Sequence, residues 1–220
     1  MIDALIQYSP LLQKAILETL LMVGITMAVA IVIGGPLGLV LYITGRGGMA
    51  EQRLLNEVPG YAVNVLRSFP FIILLVVLIP VTRFLVGTSI GPRAAAVGLS
   101  VAAIPFFARL VEQSLRDVPS GVIDAALAAG ASTAQILRLV LLPEAMPALI
   151  SSFTVTTISF IAYSAVAGAI GAGGIGDLAI RYGYYRFETE VMVWCVIVMF
   201  ALVQIVQWVG TWAAHAVDKR

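Results

Sequence analysis

Five apolar segments, at about 17–44, 63–81, 94–111, 147–169 and 191–212, run through this chain with almost no charge in their interiors. A helix of about 20 apolar residues crosses a hydrocarbon core roughly 30 Å thick, and each segment approaches or exceeds that length. All are too long for strands of a buried sheet. A membrane barrel would instead alternate over segments of about ten residues. Hydrocarbon offers backbone N–H and C=O groups no partner, so such segments satisfy them internally as α-helices. The expected fold is an all-α membrane protein, a bundle of about five transmembrane helices in a single domain over 1–220.

Composition narrows the function classes. Of the 220 residues 11% are charged, against about a quarter in soluble domains. Little length remains for a separate enzyme domain. A net charge of +1 gives nucleic acid no electrostatic footing. One cysteine, Cys195, and one histidine, His215, cannot form an internal disulfide or a Cys/His zinc cluster. His215 reads as a solvated tail residue beside Asp218, Lys219 and Arg220. No cofactor is called for. Residues 1–18 hold Lys14 as their one cation and lack a cleavage site, so the first apolar segment is expected to be a retained span.

Proline and glycine punctuate the spans. Gly34, Gly35, Pro36 and Gly38 fall late in the first, and Pro105 lies within the third. Gly34 and Gly38 form a small-xxx-small pair, read as a site of close helix packing.

Residues 112–146 form the one sizeable polar stretch. Ser120 is placed to cap a short helix over 121–129, with Asp124 in its first turn and Gly130 ending it as the residue after the cap. Ser132 and Gln135 fit a capping box for a second helix over 133–142, which Pro143 is expected to close. Two short helices bent at a glycine, outside the membrane, suit a docking element spanning about 119–143.

The run from Gly171 to Gly176 satisfies G-x-G-x-x-G, but it follows a transmembrane segment instead of a strand, so a dinucleotide site is rejected. A tight loop at the membrane surface is the better account. Neither Lys14 nor Lys219 completes a G-K-[ST] phosphate loop, so any ATP hydrolysis belongs to another chain.

Asp124-Ala125-Ala126, then Gly130, then Val140-x-Leu142-Pro143, resembles the E-A-A-x₃-G-x₉-I-x-L-P signature of ABC importer permeases, with Asp124 for Glu and Val140 for Ile. Residues 66–75, 87–91, 141–145 and Tyr163-Ser164 with the glycine-rich loop resemble the methionine importer permease subfamily. The resemblance implies a bacterial inner-membrane permease that is not itself an enzyme. It implies a homodimer with two ATPase subunits and an extracytoplasmic methionine-binding lipoprotein. It further implies that Asp124, Ala125, Ala126, Gly130, Ala131, Leu142 and Pro143 belong to a cytoplasmic coupling helix seated on the ATPase.

Two other readings stand beside this one: a permease for another amino acid or small solute, and a secondary transporter. Ion-coupled carriers place ionisable groups at membrane depth. Here Arg67, Arg109 and Glu112 fall near the expected span ends, which disfavours proton coupling and substrates that need a charged site. In the fourth span Thr156, Ser159 and Tyr163 recur at helical spacing, with Ser164 beside them, and are expected to line a translocation path.

With the coupling segment inside, the inner side holds Arg46, Arg53, Arg67, Arg109, Arg116, Arg138, Lys219 and Arg220, against Lys14, Arg83, Arg93, Arg181 and Arg186 outside. Eight cations against five agree with the positive-inside rule. Five spans then put Met1 outside and Arg220 inside. In a Cys195→Ala background, a cysteine at Tyr184 is expected to react with an impermeant thiol reagent in intact cells, and one at Ser132 only after the membrane is opened. Labelling of position 132 from outside would invert the topology.

Overall fold

The computed structural model describes residues 2–218, with side chains from Tyr8 onward. The expected positions of Met1, Lys219 and Arg220 lie outside the described residues. Among the described residues every regular element is helical. In chain order these are α1 (Ile2–Val29), α2 (Gly35–Thr44), α3 (Arg53–Ser68), α4 (Phe71–Val77), α5 (Ile79–Val86) and α6 (Pro92–Arg116). The series continues with α7 (Ser120–Ala128), α8 (Thr133–Gln135), α9 (Leu142–Gly168), α10 (Gly174–Leu178) and α11 (Thr189–Val217).

Two proline sites behave differently from a simple break. A π turn over Ala30–Gly34 joins α1 to α2, so the first span is one long rod. Pro36 has no N–H and its ring crowds the carbonyl four residues earlier, that of Val32, which lies in this wide turn. A second π turn over Ile136–Leu141 precedes Pro143 in the same way. Pro143 therefore does not close the second coupling helix. Thr133–Gly168 runs as one helix of 36 residues, from the polar stretch through the fourth span.

The expected unbroken span over 63–81 is corrected more strongly. Phe69 precedes Pro70 and is driven out of the helical region, to φ −74° and ψ 133°, which ends α3. Helix α4 leaves at 103° to α3, and α5 follows it. The third and fifth expected spans lie inside α6 and α11, each of which extends further at both ends.

Helix α6 is the axis of the bundle. Its Leu99, Ala103, Phe107, Val111 and Leu115 repeat every four residues, a buried stripe on one face. Met22, Ala30, Leu141, Ala145, Phe160 and Ala167 close around the same core. The molecule has two distinct ends. At one, the turn after α2 lies beside α7, and Asp218 lies near Asp117 and Glu144. At the other, Tyr8 meets Tyr182 edge-on at 5.9 Å, and the Gly91 N–H donates to the Gly171 carbonyl at 3.0 Å. Tyr8 and Asp218 thus sit at opposite ends.

Gly34 and Gly38 pack as their spacing suggests. A Cβ on Gly34 would come within 2.7 Å of the Ile104 carbonyl oxygen, and one on Gly38 within 2.4 Å of that of Ala108. The α2 backbone lies against α6 at a distance no side chain allows. Gly38→Val is expected to lower stability by roughly 1–3 kcal/mol through overpacking. Gly24→Ala, where a Cβ meets nothing within 4 Å, serves as control. Thermal unfolding of the purified protein in detergent checks this, and equal midpoints for the two variants would refute the close approach.

Candidate coupling and translocation sites

The polar stretch folds into a bent element at the end of the bundle that carries Asp218. Helix α7 starts at Ser120 with Pro119 before it, and no side chain caps it. The expected Ser120 cap is therefore replaced by a proline start, and Asp124 falls beyond the first turn. Gly130 follows the last cap residue, Ala129, at φ +79°, a left-handed conformation that suits glycine. The Ala131 N–H reaches back to the Ala126 carbonyl at 3.1 Å, fixing the turn. Ser132 and Gln135 form the full capping box, with the Ser132 N–H donating to Gln135 Oε1 at 2.8 Å.

None of residues 120–135 is buried. Asp124, Ala125, Gly130 and Pro143 are exposed, while Ala126, Ala131 and Leu142 are half-buried. Ile136 and Leu141 anchor the element in the core with no exposed surface. Leu127 and Leu139 remain 52% and 70% exposed. Small residues and uncovered leucines on a rigid turn form a surface suited to a partner's groove.

Just inside this end, a charge network ties α6 to α3. Buried Glu112 accepts from Arg109 and Arg116, the latter at 2.9 Å. Arg109 Nη2 also donates to the Gly60 carbonyl at 3.1 Å and to Asn64 Oδ1 at 3.0 Å. Asn56 extends the tie by donating to the Leu41 carbonyl of α2 at 2.7 Å. These bonds hold the polar face of α3 in place.

The four expected path residues separate. Thr156 and Ser164 are buried, and their hydroxyls donate to the Ser152 and Ile161 carbonyls of their own helix. Ser159 is half-buried and donates to the Val155 carbonyl at 2.9 Å. Tyr163 stacks on Phe71 with ring centroids 4.6 Å apart and lines a cavity of about 200 Å³ at the break between α3 and α4. Arg67 lines the same cavity, opposite Ala102 and Phe106 from the middle of α6. The expectation that Arg67 sits near a span end is thus corrected. The break at Phe69–Pro70 brings it to mid-height of the bundle.

The family described as "Binding-protein-dependent transport system inner membrane component" matches residues 34–220. The chain belongs to this family. It is 47% identical over 212 residues to the "Probable D-methionine transport system permease protein MetI" of Vibrio cholerae, covering 96% of this chain and 94% of that protein. It is 45% identical to the "Methionine import system permease protein MetP" of Bacillus subtilis, covering 82% and 81%. A solved chain of the inward-facing "MetNI methionine ABC transporter" superposes with a TM-score of 0.93 at 43% identity, covering 97% of this chain and 99% of that one. A chain from an amino acid ABC transporter shares the fold, with a TM-score of 0.81 at 18% identity.

In this inner-membrane family member the expected loop covers only the first half of the glycine-rich run, since Gly174–Gly176 already open α10. Gly171, Gly173 and Gly174 have φ between +78° and +93°. The Gly174 N–H donates to Glu18 Oε2 at 2.8 Å, and the Ile175 N–H to Thr19 Oγ1 at 3.0 Å. Glu18 fills the place a phosphate would take at a nucleotide loop. No sequence signal joins residues 156 positions apart. The charge network was more legible: Arg109, Glu112 and Arg116 stand at i, i+3 and i+7, helical spacing for neighbours.

Removing one member of a buried ionic network leaves the others uncompensated, at a cost of roughly 3 kcal/mol. The Arg53–Glu57 pair is exposed, and such pairs contribute about 1 kcal/mol or less. Glu112→Ala is therefore expected to lower the unfolding midpoint well beyond Glu57→Ala. Equal shifts would show that the network contributes nothing.

Proposed function

We propose that this chain forms the translocation path of an ATP-driven methionine importer. The observation that carries the reading is identity of 45–47% with methionine permeases across more than four-fifths of the chain. Two copies form the membrane core, two ATPase subunits supply the energy from separate chains, and an extracytoplasmic lipoprotein delivers the substrate. The chain itself catalyses no reaction.

Coupling is assigned to Asp124, Ala125, Ala126, Gly130, Ala131, Leu142 and Pro143. Their support is the exposed small-residue turn and its capping at both helix ends. Because α8 continues into α9, a tilt imposed by the ATPase on the turn travels along one helix to Ser159 and Tyr163. Those two residues border the path. Thr156 and Ser164 act behind them, keeping the helix polar groups satisfied where it packs.

The test is uptake into vesicles holding the permease, its ATPase and its binding protein. Labelled methionine is expected to be imported faster than histidine, glutamine or leucine; a preference for another solute overturns the substrate assignment. Gly130→Asp is expected to abolish ATP-dependent uptake while the protein still reaches the membrane. A Cβ there meets nothing within 4 Å, but the left-handed φ of +79° strains any L side chain, so Gly130→Ala is run beside it to read the backbone cost without the charge. Introducing an unpaired charge into a covered interface costs several kcal/mol. Normal uptake by that variant would remove Gly130 from the docking surface.

A further inference from the structure

The cavity at the α3–α4 break has one cation and no carboxylate in its lining. It lies at mid-height, since Ala102 and Phe106 sit near the centre of α6. Arg67 occupies the last turn of α3, and among the described residues no carboxylate lies within ion-pair distance of it. A charge at membrane depth is costly unless it is paired or faces water, and such residues mark transport paths. The wall beside Arg67 is aromatic. Tyr163 meets Phe160 edge-on at 5.2 Å and stacks on Phe71, and Phe160 meets Phe106 at 5.9 Å. Aromatic rings make favourable contacts with thioether sulfur, and a guanidinium matches a carboxylate with two parallel hydrogen bonds. Helix α3 ends at the cavity, so the negative end of its dipole is offered to an ammonium.

The geometry points to a substrate subsite within the permease itself. Arg67 receives the carboxylate of a zwitterionic amino acid, and Phe106, Phe160 and Tyr163 receive its thioether side chain. This rests on the importer reading above and deepens it, because it adds a second selection step after capture by the binding protein. The subsite exists only because Pro70 breaks the span and leaves the exposed Arg67 on the cavity at mid-height.

The experiment measures equilibrium binding of labelled methionine to the purified permease–ATPase complex without the binding protein. The competitor is methioninol, which keeps the thioether and the amine but lacks the carboxylate. The wild-type complex is expected to prefer methionine by about tenfold or more, the range of a charge-assisted hydrogen bond. Arg67→Gln is expected to erase that preference in a complex that still elutes intact, and Arg67→Lys to keep part of it. Phe106→Ala is expected to weaken both ligands alike. An unchanged preference in Arg67→Gln overturns the subsite. So does the absence of saturable binding to a wild-type complex that imports methionine in vesicles. Failure of wild-type uptake would instead refute the importer reading, and the methionine subsite with it.

Discussion

Hydrocarbon cannot accept a hydrogen bond, and this one property governs how the spans may depart from regular helix. A helix that crosses it must keep each N–H and C=O occupied, so each departure from regular helix needs its own compensation. Pro36 and Pro143 come directly after π turns that hold the carbonyls their rings would crowd. At Pro70 the chain instead breaks through 103°, and a cavity opens beside the break.

The same constraint sorts the polar side chains. Thr154, Thr156, Thr157 and Ser164 all donate to carbonyls of their own helix, so they pass through the core without seeking distant partners. Glu112 is buried but holds two guanidiniums, and Arg109 spreads its donors over α3 as well. Glu18 closes the glycine-rich loop at the opposite end. Against that background Arg67 stands apart: a cation at mid-height, on a cavity, with no ion-pair partner among the described residues.

Continuity between the proposed docking turn and the fourth span gives the molecule its mechanical character. From Ser132 to Tyr163 the helix advances by roughly 45 Å at 1.5 Å per residue. Close contacts of the kind made by Gly38 on α6 leave little room for one helix to slide past the other. The capping box at Ser132 and the left-handed Gly130 set the angle between α7 and α8.

Much of this was written in the sequence. Hydrophobic length alone determined an all-helical membrane bundle, because that consequence of lipid is local to each segment. The bend between α7 and α8 was legible because capping is also local: Ser132, Gln135 and Gly130 act within a few residues of themselves. The family followed from a spaced motif of the same kind. What the tertiary structure decided was whatever depends on partners distant in the chain. Pro143 looked like a stop and became part of a continuous helix, since packing of Ile136 and Leu141 in the core holds the wide turn before it. The span expected over 63–81 became a right-angled break at Pro70, which leaves Arg67 at mid-height instead of at a span end. Glu18 found Gly174 across 156 residues. Depth and direction are properties of how rods lean on one another, and the order of residues along one rod does not contain them.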